Sequence, residues 1–331
     1  MAEWRDLLQP LLDEAGLQAP ITGMAALAGG VSSDIVRVEL ANGVVVCAKR
    51  ALARLKVASI WEAPLERNHY EAAWLRLAGA IEPDIAPRVL AEGGGVILLE
   101  YLAPDEFLLW KAELLAGRCD VTIAEKVAAS LARVHSATWG DAAVAAAFAT
   151  DAMFEALRIA PYLRTLAERT PDLADGILAV AAETAATHCA LVHGDVSPKN
   201  ILVARRDGRP VLVDAECAWY GDPAFDAAFC INHLLLKAAH LSAQRAALID
   251  AAARFLATWR MGLPAGAQGA GERRVARLLP CLMLARIDGK SPVEYLSEAE
   301  REAVRRIARP LIAAPPACGD ELFSRFVRAS L

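Results

Sequence analysis

One stretch limits what this chain can be more than any other: Leu191 to Glu216, LVHGDVSPKNILVARRDGRPVLVDAE. LVH is a short apolar run, GDVSPKN is rich in turn formers and cannot continue as helix through Pro198, and ILVA and VLVDA are two further apolar runs. The connector between those runs, Arg205 to Pro210, contains Asp207-Gly208, a strong hairpin signal. The pattern predicts a strand, a loop and a hairpin that folds Asp214 back towards Asn200 and Asp195. Three oxygen-bearing side chains at the mouth of a buried hairpin suit Mg2+, a hard cation that prefers carboxylate and amide oxygens and usually keeps phosphate oxygens as further ligands.

The spacing HxDxxxxN, followed by an apolar strand ending in Asp, is the arrangement of kinase catalytic loops. With Gly194 where protein kinases carry arginine, the HGD of His193–Asp195 and the following Asn200 resemble the aminoglycoside phosphotransferase and choline kinase superfamily. The continuation VDAECAWYGDPAFDAAF is most similar to the methylthioribose kinase branch, whose strand also ends Asp-x-Glu before an aromatic turn and a second Asp. The resemblance spans roughly Leu27 to Leu296. It implies that Asp195 is the base for an attacking hydroxyl, that Asn200 and Asp214 hold Mg2+, and that ATP is the donor. His193 reads as a buried, hydrogen-bonded structural histidine, because Asp195 already fills the base role.

With 331 residues the chain is long enough for two lobes, each with its own core. Hydrophobic residues make up 56% and alanine is abundant, so helices should dominate. No apolar run approaches the roughly 18 residues that span a bilayer. The amphipathic, acid-bearing start MAEWRDLLQPLLDEAG argues against a secretory signal or transit peptide, so a cytoplasmic protein is expected. The formal net charge of -5 offers no basic footprint for nucleic acid. The seven cysteines are scattered and never spaced CxxC, which indicates neither a disulfide framework nor a zinc site.

Residues 3 to 17 have helical periodicity. IVRVEL and VVVCAK flank Ala41-Asn42-Gly43 and predict a hairpin. The preceding Gly29, Gly30, Ser32 and Ser33 lie where the resemblance puts a nucleotide-covering loop, whose glycines let backbone N–H groups approach phosphate. Lys49, on the second strand among apolar neighbours, is costly to bury unpaired. The resemblance gives it the nucleotide phosphates and a helix glutamate, and Glu71 fits better than Glu66 because Ala73, Trp74, Leu75 and Leu77 surround it. IAPRVL and VILLEYL, turned at Gly93–Gly95, run into Ala103-Pro104, where the resemblance implies a hinge whose Glu100 and Leu102 backbone groups bind adenine's edge.

Further on, Thr122 to Glu125 has the form of a capping box. His135 reads as a packed helix residue, and the alanine-rich helices from 141 to 190 offer no chemical constellation. Trp219 to Pro223 reads as a turn. Asp226 stands at an N-cap position, and in kinase-like folds also holds the catalytic loop's backbone. PAGAQGAGE, 264 to 272, reads as a loop. Glu216 reads either as a solvent-facing strand end or, by the Asp-x-Glu match, as a second metal contact or a substrate contact. Arg286 closes an apolar helix. It can offset the helix dipole there or point into the cleft, as the methylthioribose kinase resemblance suggests.

The fold these features predict is α+β and protein-kinase-like: an N-terminal nucleotide-binding lobe with a small antiparallel sheet, residues 1–102, and a larger, mostly helical catalytic and substrate-binding lobe, 103–331. The expected activity is ATP- and Mg2+-dependent phosphorylation of a hydroxyl on a small molecule, sugar-like or a hydroxy acid. The alternatives are an aminoglycoside or a choline- or homoserine-type kinase, and a non-catalytic nucleotide-binding module. Nothing after Asp214 matches an Ala-Pro-Glu activation loop, which disfavours a protein kinase. Arg286 and Lys290 disfavour a polycationic acceptor, and a methylthioribose-like sugar heads the expected substrates.

Overall fold

The computed structural model describes residues 2–27, 32–52 and 64–330. Five strands form one antiparallel sheet, in the order β1-β2-β3-β5-β4: β1 Ile21–Ala26, β2 Ser33–Leu40, β3 Val45–Ala51, β4 Val89–Gly93 and β5 Val96–Glu100. The β2–β3 turn falls at Ala41–Gly43, where Gly43 takes φ +83° and Val44 N–H donates to the Asn42 side chain at 3.1 Å. Successive strand residues point to opposite faces, and both faces are covered. Val36, Val38, Val46, Ala48, Val96 and Leu98 pack under helix α1, Ala2–Glu14, through Trp4, Leu8, Leu11 and Leu12. Ile97 and Leu99 turn the other way, towards helix α2, Arg67–Ile81.

On that second face the sheet opens onto the core of the helical half. Ala72, Trp74, Leu75 and Ala78 of α2 belong to the same continuous core as Val127 and Leu131 of the helix Val121–Ala137, Phe225 and Phe229 of the helix Ala224–His240, and Leu282 of the helix Gln268–Asp288. Only the α1 side of the sheet has a core of its own. Helix α2 is thereby anchored to the helical half while its polar side faces the sheet.

Below the sheet, two short ribbons carry the loop at the centre of the molecule. Strand β7, Ala190–Val192, pairs with β10, Trp219–Gly221, so the segment expected as a turn at 219–223 starts as a strand. Strands β6 (Phe107–Leu109), β8 (Ile201–Ala204) and β9 (Pro210–Leu212) form the second ribbon in the order β6-β8-β9. The β8–β9 connection closes at Asp207-Gly208, with Gly208 at φ +69°.

Three other local expectations are corrected. The helix Val121–Ala137 is capped by Asp120, whose side chain accepts from Thr122 N–H, rather than by Thr122. Asp226 lies within the first turn of its helix, and Asp222 accepts from Ala224 N–H instead. Residues 264–272 form a short 3-10 turn and the start of the helix Gln268–Asp288. Gly271 is there for packing, since a Cβ would meet Leu263 and Trp259 at 3.0 and 3.2 Å.

A core shared between α2 and the helical half predicts one cooperative unfolding transition. Replacing fully buried Trp74 by Ala should lower the stability of that whole transition by about 3–5 kcal/mol. Urea denaturation followed by both fluorescence and circular dichroism checks this, and two separated transitions would contradict the shared core.

Candidate active site

The loop between β7 and β8 begins His193-Gly194-Asp195. Gly194 takes φ +77°, and a Cβ there would lie 2.5 Å from the Cys217 carbonyl oxygen, so only glycine fits. Fully buried Asp226 holds the turn, accepting from His193 N–H and Gly194 N–H at 2.8 Å each. Backbone bonds to a carboxylate are charge-assisted and short. The same carboxylate lies 3.2 Å from His135 Nε2, and Trp259 Nε1–H donates to His135 Nδ1 at 3.0 Å. Because indole nitrogen is only a donor, His135 Nδ1 accepts and its Nε2–H points at Asp226. His193 in turn accepts from Asp195 N–H through Nδ1 at 3.2 Å and packs edge-on to Trp74. Burial holds its pKa below the ordinary histidine value, which keeps the ring neutral.

Asp195 emerges from this scaffold 5% exposed and lies 3.1 Å from both Arg158 Nη2 and Lys199 Nζ. Asn200 donates its amide N–H to the Asp195 carbonyl at 3.1 Å, which leaves the amide oxygen as an acceptor. Val213 N–H donates to the Asn200 carbonyl, fastening the loop to the residue before Asp214.

Asp214 itself is no strand residue. Strand β9 ends at Leu212, and Asp214 has φ +68°, in the left-handed region that non-glycine residues rarely occupy. That turn aims its carboxylate at buried Lys49, which also meets Glu71 at 2.7 Å. Burial disfavours the Lys49 ammonium, but Asp214 and Glu71 outweigh it and raise its pKa above the usual lysine value. Burial likewise opposes the Asp214 carboxylate, and Lys49 and Lys199 overcome it and hold its pKa low. Glu71 is pushed up to about 7 by burial, only partly offset by Lys49.

The kinked backbone also leaves Glu216, expected as a strand end, in a turn. Its carboxylate receives Arg67 Nε at 3.0 Å. Arg67, fully buried at the start of α2, also donates to the carbonyls of Ser32 and Leu52 at 2.6 Å and of Pro64 at 2.9 Å.

Two adjoining cavities meet at this loop. The first, about 440 Å³, lies under the sheet and is lined by Ser33, Lys49, Glu71, Asn200 and Asp214 with apolar Ile35, Leu99 and Leu202; Glu100 and Leu102 form part of its edge. The Glu100 carboxylate is engaged by Arg88 Nε at 2.7 Å. The second, about 410 Å³, lies in the helical half and is lined by Ser32, Arg158, Asp195, Glu216 and Arg286 among others. Lys111 and Lys199 line both. Arg286 thus faces the second cavity from the last turn of its helix, donating to the carbonyl and hydroxyl of Ser291. Gly29 and Gly30 lie outside the described residues.

Sequence reasoning missed Arg158, Lys199, Arg67 and the relay through His135. Lys199 adjoins Asn200 inside the motif and was open to detection there. Arg158 sits on a widened, π-helical stretch, Glu155–Arg164, with Pro161 inside it. Such turns recur at functional sites, and a proline within an apolar helix pattern was the available signal.

The sequence model described as "Phosphotransferase enzyme family" matches residues 23–238. No curated protein matches. Among solved structures, the chain is similar to a Plasmodium vivax ethanolamine kinase (11% identity, TM-score 0.53, covering 96% of this chain and 84% of that one). It is similar to the gentamicin–APH(2")-IIa complex (15%, TM-score 0.52, 100% and 95%) and to a Mesorhizobium loti choline/ethanolamine kinase family protein (15%, TM-score 0.51, 98% and 93%). At such identities the likeness is one of fold. The resemblance to the methylthioribose kinase branch is not confirmed by these similarities.

The Asp226 bridge generates a direct test. Asp226→Asn keeps the shape but turns one acceptor into an N–H donor facing His193 N–H, Gly194 N–H or His135. It should cost about 1–3 kcal/mol of stability and lower turnover with any acceptor. Thermal melts and steady-state assays on the same preparation check both, and unchanged values for either would remove Asp226 as the scaffold of the loop.

Proposed function

As a member of the phosphotransferase enzyme family, and so a small-molecule kinase, this protein, we propose, transfers the γ-phosphoryl group of ATP to a hydroxyl of a sugar-like or hydroxy-acid metabolite, with Asp195 as base. The observation that carries the reading is the position of Asp195 where the two cavities adjoin, with Lys199 lining both and lying 3.1 Å from its carboxylate. A nucleotide fits the first cavity: apolar Ile35, Leu99 and Leu202 suit a base, and Lys49 suits phosphate. The hydroxyl acceptor takes the second.

Asp195 orients the acceptor hydroxyl and takes its proton as the acceptor oxygen bonds to the γ-phosphorus. The bond from that phosphorus to the β,γ-bridging oxygen breaks, and ADP leaves with the bonding pair. Lys49, held charged by Asp214 and Glu71, binds phosphate oxygens, and Lys199 neutralises charge on the transferring group. Most of the rate acceleration in such chemistry comes from positioning and fixed charge. The oxygen donors present fit Mg2+: the Asp214 carboxylate and the free amide oxygen of Asn200 line the nucleotide cavity. Bound there, Mg2+ supplies charge neutralisation at the phosphate oxygens. Glu216 faces the acceptor cavity while paired to Arg67, which supports a substrate contact over a metal contact. The hinge role of Glu100 and Leu102 and the covering role of Gly29, Gly30 and Ser33 are part of the same reading, whereas Ser32 lines the acceptor cavity.

Gentamicin, choline and ethanolamine are cationic amines, whereas Arg158, Lys199, Lys237 and Arg286 all line this acceptor cavity. That charge favours the sugar-like or hydroxy-acid acceptor over an amine.

Asp195→Asn should lower kcat by about 10²- to 10⁴-fold while ATP binding stays near the parent value, since the amide cannot accept the proton. Turnover within a few-fold of the parent would exclude Asp195 as base. Asp214→Ala and Asn200→Ala should weaken ATP binding only when Mg2+ is present, whereas Lys49→Ala should weaken it with or without metal. Calorimetric titration of ATP in Mg2+ and in EDTA distinguishes these, and equal losses for all three variants in both conditions would contradict the assignment.

A further inference from the structure

The wall of the acceptor cavity opposite the catalytic loop holds a lysine that the phosphoryl-transfer chemistry does not use. Lys237 lies in the last turn of the helix Ala224–His240 and is 1% exposed. Its ammonium donates to the His233 carbonyl one turn earlier at 3.3 Å and stands 5.4 Å from the centre of the Tyr295 ring. Among the described residues no carboxylate lies within ion-pair distance of it. Burying an unpaired ammonium costs several kcal/mol, and a leucine in this apolar helix would avoid that cost.

The neighbours compound the imbalance. Arg286 shares the cavity and has a buried Nε without a partner, as do the Tyr295 hydroxyl and the Ser197 hydroxyl. Of the three carboxylates that line the cavity among the described residues, Asp195 is taken by Arg158 and Lys199, Glu216 by Arg67, and Glu294 lies on the exposed rim paired with Lys111. Buried polar groups are almost always satisfied. Several orphaned donors on residues that line one cavity, with the unpaired Lys237 ammonium among them, therefore point to oxygens that arrive with a ligand.

Resting on the kinase reading above, we propose that Lys237, Arg286 and Tyr295 form a subsite for an anionic group of the acceptor, so that the substrate is a hydroxylated carboxylate or phosphate monoester. The acid end docks at Lys237 and Arg286 while the hydroxyl end reaches Asp195. Burial, with Lys111 and Arg286 nearby, brings the Lys237 pKa down to about 7. An incoming anion supplies the missing countercharge and holds the ammonium protonated. His233, on the same helix, is kept neutral by burial and the surrounding cations and adds no charge of its own.

The test uses matched acceptors of one skeleton: glycerate, glycerol 3-phosphate, glycerol and 3-amino-1,2-propanediol, and likewise gluconate, glucose 6-phosphate, glucose and glucosamine. ADP release is measured for the parent and Lys237→Met, and equilibrium binding of each acceptor is measured by calorimetry with a non-hydrolysable ATP analogue present. In at least one series an acid should bind and turn over better than its neutral and amine counterparts, with the carboxylate and phosphate arms separating the two sources of charge. Lys237→Met should lower kcat/KM for that acid on the order of 10²-fold and leave the ATP KM unchanged. Arg286→Gln should reproduce the direction if the methionine variant fails to fold. Superior binding of a neutral or amine member, or acid binding insensitive to both substitutions, overturns the subsite and leaves the kinase reading intact. Acid binding that depends on Lys237 without any ADP release would instead uphold the subsite and count against the kinase reading.

Discussion

The structure depends first on how a lysine is kept charged out of water. Lys49 is placed on the cleft face of β3 by strand alternation, where apolar neighbours would expel a lone ammonium. Two carboxylates hold it there, Glu71 from helix α2 and Asp214 from the segment after β9. The three groups come from the sheet, from the helix that shares the large core, and from the catalytic half. One buried charge cluster therefore fixes the relation of elements that are remote in sequence. The arrangement explains why Asp214 tolerates φ +68°, since an extended conformation would continue β9 past the lysine.

A second polar network does for the loop what the first does for the cleft. Asp226 has no exposure and its oxygens are taken by two backbone N–H groups and by His135. His135 is oriented in turn by Trp259, from a third helix. In a low-dielectric interior each member would be costly alone, and it is full satisfaction that makes such a network rigid. The consequence at the surface of the cavity is that Asp195 projects from a backbone with little freedom, as the proposed role of a base that must meet one oxygen requires.

How much of this was legible follows from the range of the interactions. The hairpin that carries Lys49 and the choice of Glu71 over Glu66 were readable, because alternation and the apolar setting of a helix residue are local. The Asp195, Asn200 and Asp214 set was readable because its members are close in sequence and the hairpin brings them together. Glu216 was singled out but wrongly set at a strand end, because a single left-handed residue turns the backbone out of the strand before it. Arg67 and Arg158 escaped because Glu216 and Gly194, the partners that tie them to the site, lie 149 and 36 residues away and no periodicity marks them. Residues 264–272 were misread because small residues that permit close helix contact have the same composition as a loop, as Gly271 against Trp259 shows.

The charge layout of the two cavities is then a single electrostatic problem. A triphosphate in one and an acid in the other would repel across the reacting centre; two like charges about 6 Å apart at an effective dielectric of 20 repel by about 3 kcal/mol. Lys199 and Lys111 line both cavities and stand between those charges. Lys199 is half exposed, and it reaches Asp195 from the residue beside Asn200. Lys111 is held towards the rim by Glu294. An amine acceptor would need neither cation and would be repelled by both, together with Lys237 and Arg286. The same lysines that would lower the barrier to bringing two anions together would therefore raise it for a cation, so on the proposed reading discrimination follows from the fixed charges that the transfer requires.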